Sequence, residues 1–61
     1  MNALTEGELA IIALSLYIAH ELKAIPPEAY PDLKSVAKRC IRLSGNAELK
    51  ADMQELLLCL N

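Results

Sequence analysis

Tryptophan and phenylalanine are absent from this chain, and two tyrosines are its only aromatic residues. Any core must therefore be built from aliphatic side chains, without the large aromatic anchors that dominate most interiors. Two glycines and three prolines are too few for a collagen-like or low-complexity chain. Two cysteines are too few for a disulfide scaffold. Neither sign of charge dominates: the formal net charge is −2, which argues neither for a nucleic-acid partner nor for strong self-repulsion. Long apolar runs are missing too. The longest, Leu9 to Ala19, is interrupted by Ser15 and closed by Glu8 on one side and by His20, Glu21 and Lys23 on the other. A membrane span needs about 20 apolar residues. Glu6 and Glu8 stand where a secretory leader would carry basic residues. The expectation is a soluble, leaderless chain. Its sparse cysteines fit a reducing compartment, hence the cytoplasm.

What is present is aliphatic. The 61 residues are 54% hydrophobic and 23% charged, with a mean hydropathy of +0.27. Disorder is excluded, because disordered chains are poor in apolar residues. One small domain spanning residues 1–61 is the only division that length allows, and such a domain buries only about 60% of the surface its unfolded chain exposes. The chain holds more apolar material than that easily hides, so completion by a partner chain is expected.

Three helices account for nearly all of it. Thr5-Glu6-Gly7-Glu8 has the spacing of a capping box, and Leu4 is placed as a hydrophobic staple over Leu9. Helix 1 is predicted over about 6–24, ended by Ile25-Pro26-Pro27, which removes two amide donors. A linker over 25–30 leads to Pro31, a good first helical residue, and helix 2 over about 31–43. In the turn at 44–46, Gly45 is expected to end helix 2 in the left-handed conformation and Asn46 to cap helix 3, which covers about 47–60. A turn this short makes helices 2 and 3 antiparallel neighbours. The fold class is all-α: a long helix 1 packed on that hairpin, completed as a homodimeric bundle.

Helical wheels separate the elements. Helix 2 offers one apolar stripe, Leu33, Val36, Ala37, Cys40, Ile41 and Leu43. Helix 3 offers Leu49, Met53, Leu56 and Leu60, widened by Leu57, with Leu58 on the other side. Helix 1 is different. Ile11, Leu14, Ile18, Leu22 and Ile25 form one stripe, and Leu9, Ile12, Leu16 and Ala19 form a second about a third of a turn away. Only a strip with Glu6, Tyr17 and Glu21 is plainly polar. A helix apolar nearly all round is buried on more than one side. The expectation assigns the Ile11 stripe to the subunit core. It assigns Leu9, Ile12, Leu16 and Ala19, with His20 and Leu58, to a protein interface.

Chemistry has little to stand on. His20 lacks the second histidine of a zinc-binding HExxH pair and reads as the margin of the second stripe. Cys40 and Cys59 fall short of the four ligands of a structural zinc site even with His20 added. In an antiparallel hairpin they are offset by roughly 13 Å along the axis, too far for a disulfide. Cys40 reads as a small buried hydrophobe. No nucleophilic triad, glycine-rich phosphate loop or paired apolar carboxylates are present. The chain is expected to be no enzyme and to need no cofactor or metal. Lys34, Lys38, Arg39 and Arg42 form one basic face on helix 2, fit for an anionic partner. The acids Glu48, Asp52 and Glu55 on helix 3 argue against a DNA-recognition helix there. The leading reading is a regulatory module that docks on a larger protein as adaptor, inhibitor or antiactivator, working as a dimer. The alternatives are a DNA-associated regulator using the basic face and a structural subunit of a larger assembly.

Overall fold

The computed structural model describes residues 3–60 of the chain. Among them are three α-helices, α1 (Glu6–Glu21), α2 (Tyr30–Leu43) and α3 (Ala47–Leu60), with a single 3-10 turn over Pro27–Ala29 and no strand. The α2–α3 hairpin makes the most extensive contact, and α1 lies across it, closer to α3 than to α2.

α1 begins where the capping box requires. Thr5 Oγ1 accepts the Glu8 amide at 3.1 Å, and Glu8 Oε1 accepts the Thr5 amide at 2.8 Å, so two orphan donors are satisfied reciprocally. α1 ends at Glu21, ahead of the expected 23 or 24. Lys23 adopts φ 58°. The Lys23 amide donates to the His20 carbonyl at 3.0 Å and the Ala24 amide to the Ala19 carbonyl at 2.9 Å. That pair of bonds is a Schellman motif. The cause lies downstream: Ile25 precedes proline and cannot be helical, so the chain reverses before it. α2 starts at Tyr30, one residue ahead of Pro31, on the 3-10 turn closed by Ala29 N–H to Pro26 O at 2.9 Å.

The α2–α3 turn corrects one expectation. Neither glycine has positive φ. α2 ends because Ser44 swings to extended backbone, φ −87° and ψ 143°, so no left-handed residue is needed there. Asn46 caps α3 as its side chain suggests, with Oδ1 accepting Glu48 N–H at 2.9 Å and Leu49 N–H at 3.2 Å.

The core consists of Leu9 and Ala13 from α1, Leu33, Ala37 and Cys40 from α2, and Leu49, Met53, Leu56 and Leu60 from α3. Val36, Ile41 and Leu57 are half-buried against it. Leu43, expected inside, is 52% exposed in the last turn of α2. The largest correction concerns α1, whose two stripes are reversed along the helix, while Ile25, beyond its end, packs on the core as expected. Leu9 is buried, and Ile12 and Leu16 pack on the core. Ile11, Leu14, Ile18 and Leu22 face outward. Both stripes are bulky enough for either role, so bulk does not choose. Ala13 does: at 3% exposure, it lets the α1 backbone come close to a hairpin already filled by Met53 and Leu56, where a larger side chain would hold it off.

Candidate functional site: the outward face of α1

Polar ties hold α1 in this orientation. Glu6 and Tyr17, read from sequence as a wet strip, both grip the hairpin. The Glu6 carboxylate accepts Ser44 Oγ–H at 2.9 Å and Gly45 N–H at 2.7 Å. Ser44 is the buried polar residue among those described, 4% exposed. Its Oγ also accepts the Asn46 amide at 3.0 Å. Tyr17 OH donates to Glu55 Oε2 at 2.5 Å. That hydrogen bond and the carboxylate's charge, followed by burial and more distant acids, push the Tyr17 phenol up to about 12. At the other end of the helix the His20 and Tyr30 rings meet, centroids 5.9 Å apart and planes at 56°.

The opposite side of α1 is therefore fixed as a ridge. Ile11 is 68% exposed, Leu14 59%, Ile18 47% and Leu22 74%. Spacings of three and four residues place them in one row on the helix surface. A groove runs along each flank. Toward α3, a cavity of about 190 Å³ has Ala10, Ala13 and Leu14 on one wall and Glu48, Leu49 and Asp52 on the other. Toward α2, a cavity of about 140 Å³ lies between Leu4, Leu9 and Ile12 on one side and Val36, Arg39, Cys40 and Leu43 on the other. One flank is thus rimmed by carboxylates and the other by Arg39.

The expected interface residues do not come together on this ridge. Leu9 belongs to the core and is closed to a partner; Ile12, Leu16, Ala19 and His20 are half-buried along its sides. Leu58 is 75% exposed but stands on α3. Of the basic face, Lys38, Arg39 and Arg42 are exposed and Lys34 is half-buried. Cys40 is buried and Cys59 exposed, neither in a disulfide. Burial raises the Cys40 thiol above its ordinary value, with Arg39 opposing the shift. Among the described residues, no group of three or more His, Cys, Asp or Glu is placed to hold a metal, and no helix is long and apolar enough to cross a membrane. The sequence matches no family model, and neither the curated proteins nor the solved structures give a match.

The α1 row was visible in the sequence as an apolar stripe with the wrong side assigned to it. The signal that marks the inner face is the i, i+4 series Leu9, Ala13, Tyr17, with its small residue in the middle and a polar tip at the end.

Proposed function

We propose that this chain is a small non-enzymatic interaction module that self-associates through the outward face of α1 and, as a dimer, docks on a larger protein to regulate it. The observation that carries the reading is the exposed Ile11–Leu14–Ile18–Leu22 row. These side chains present on the order of 400 Å² of apolar surface, within the roughly 300–600 Å² of the largest patches on monomers, which are often functional. The whole molecule points the same way. A folded monomer of 6.7 kDa is expected to expose about 3,900 Å², and this one exposes 4413 Å².

The row alone would make a small contact, below the roughly 1,200–2,000 Å² of a standard interface. Two such rows remove on the order of 800 Å² of apolar surface from water, a gross gain of about 20 kcal/mol at 25 cal/mol per Å². Lost rigid-body freedom costs about 4–15 kcal/mol, and ordering the interface side chains adds to that. Gain and costs are of the same size, so the buried area does not by itself set the dissociation constant.

Light scattering over a concentration series tests this. The expected result is a rise from the chain mass toward twice that mass below about 1 mM. A single chain mass at every concentration contradicts the reading. The surface left for the larger partner is the basic face of α2, where Lys38, Arg39 and Arg42 are exposed and would favour an acidic protein surface.

A further inference from the structure

We infer that the groove between α1 and α2 is an anchor slot for an acidic segment of the larger protein, taking one aliphatic side chain between the helices and setting a neighbouring carboxylate on Arg39. The inference rests on the docking just proposed through the basic face of α2, and it names the chemistry of the partner. It does not depend on how two copies pair.

Shape comes first. Of the residues lining the groove, Leu9 and Cys40 are each 2% exposed and form its floor, while Leu4 and Leu43 are 47% and 52% exposed and form its rims. Its volume of about 140 Å³ is below the roughly 300–1,000 Å³ of small-molecule pockets. That space suits a single branched side chain. An aliphatic anchor seated there would cover Leu4 and Leu43, and interfaces concentrate their binding energy in filled pockets of this kind. Leu43, read from sequence as core, is then the open wall of the slot.

Charge comes second. Arg39 is the charged residue lining the groove, and it is exposed. It sits three residues after Val36 and four before Leu43, so α2 alternates apolar wall and cation along one side. Arg42, also exposed, stands about 60° further round the helix. Burial raises the Cys40 thiol and the Arg39 charge opposes that shift, so the guanidinium's field reaches the floor of the cavity. A carboxylate beside the anchor would meet a planar guanidinium able to bind it through two parallel hydrogen bonds.

Two acids stand at the margins and restrict the approach. Glu8 lies one turn before Ile12 on the α1 wall, with Oε1 already accepting the Thr5 amide at 2.8 Å. Asp32 lies in the first turn of α2, about 10 Å along the axis from Arg39. The partner's acid therefore belongs over Arg39 and Arg42 on the α2 wall, not over α1.

Fluorescence anisotropy with an end-blocked, labelled peptide of Leu, Asp and Glu residues tests the slot, using the full chain at physiological ionic strength. Two companion peptides of equal length carry Ser for every Leu, or Lys for every acid. The first peptide should bind at least about tenfold more tightly than either companion. Arg39→Glu should weaken it by about tenfold and Leu43→Ala by about threefold. Lys23→Glu, the same charge change away from α2, should shift it by less than about twofold. All three substituted residues are exposed, and circular dichroism checks that each chain stays folded. Equal binding of the Ser peptide would show a charged surface without a slot and overturn the inference. So would equal binding of the Lys peptide, tighter binding of random duplex DNA, or no binding of the first peptide below about 1 mM. Wild-type affinity in both Arg39→Glu and Leu43→Ala would place the peptide elsewhere and overturn it as well. Self-association is read separately from the mass of the peptide-free chain, so a failed slot and a failed dimer are told apart.

Discussion

Glu6 and Ser44 lie 38 residues apart, and the carboxylate of the first accepts the buried hydroxyl of the second at 2.9 Å. The same carboxylate holds the Gly45 amide at 2.7 Å. One side chain in the first turn of α1 thereby fastens the turn that joins α2 to α3.

Glu6→Ala should remove about 1–2 kcal/mol of stability by leaving the Ser44 hydroxyl and Gly45 amide without their acceptor. Glu6→Gln keeps an acceptor oxygen and should lose less than half of that. Urea unfolding of the three chains reads the difference. Equal stability of Glu6→Ala and wild type would show that water replaces the carboxylate without loss.

Lys23 carries a side chain in a left-handed position, φ 58°, where glycine is normally used. Lys23→Gly should stabilise the fold by about 0.5–1 kcal/mol, the relief of the left-handed strain less glycine's added freedom in the unfolded chain. In a chain of this size that raises the melting temperature by roughly 2–8 °C. Lys23→Val should lower it. Gly45→Ala, by contrast, should be tolerated, because its φ is not positive and a Cβ there meets nothing nearer than Glu6 Oε1 at 4.0 Å.

The phenol of Tyr17, pushed up to about 12 by Glu55, makes stability depend on alkaline pH. Its proton is held more tightly in the folded chain than in the unfolded one. The contribution is complete below pH 10, the ordinary value, and is lost as pH rises through about 12. Buried Cys40, also raised, adds a decline of the same sign, setting in at lower pH. Tyr17→Phe should flatten the segment between pH 10 and 12 and leave the earlier decline in place. Chemical unfolding at pH 8, 9.5 and 11 separates the two. An unchanged slope in Tyr17→Phe would mean that the Tyr17–Glu55 bond does not persist in solution.

Much of this fold was legible from residues alone. The Thr5–Glu8 box, the Asn46 cap and the Leu49–Met53–Leu56–Leu60 stripe of α3 are local or one-sided features, and each stands as its spacing suggests, whereas α1 stops ahead of Pro26 but earlier than expected, at Glu21. The side of α1 that meets the hairpin was not legible. It depends on how much space α2 and α3 leave between them, and on contacts from Glu6 to Ser44 and from Tyr17 to Glu55, all of which cross most of the chain. Gly45 shows the same limit, since glycine reads as a left-handed stop while its amide was needed for a distant carboxylate.

Ala13→Leu tests the reason given for the orientation of α1. Overfilling the contact should cost about 1–3 kcal/mol, read as a lower urea midpoint. A neutral result would mean that α1 can retreat from the hairpin, and that Ala13 does not fix the inner face.

The most direct test is the solution mass of the Leu14→Glu chain, taken together with its helicity. Leu14 is 59% exposed at the middle of the ridge, so a carboxylate there meets water in the single subunit and an apolar neighbour in the pair. Leu14→Glu should keep wild-type helicity and sediment at the 6.7 kDa chain mass, under conditions where the wild type approaches twice that value. Leu9→Glu, which places the same charge in the core, should lose its helicity altogether. If Leu14→Glu unfolds as Leu9→Glu does, the ridge is part of the core. If it still pairs as the wild type does, the outward face of α1 is not the seam.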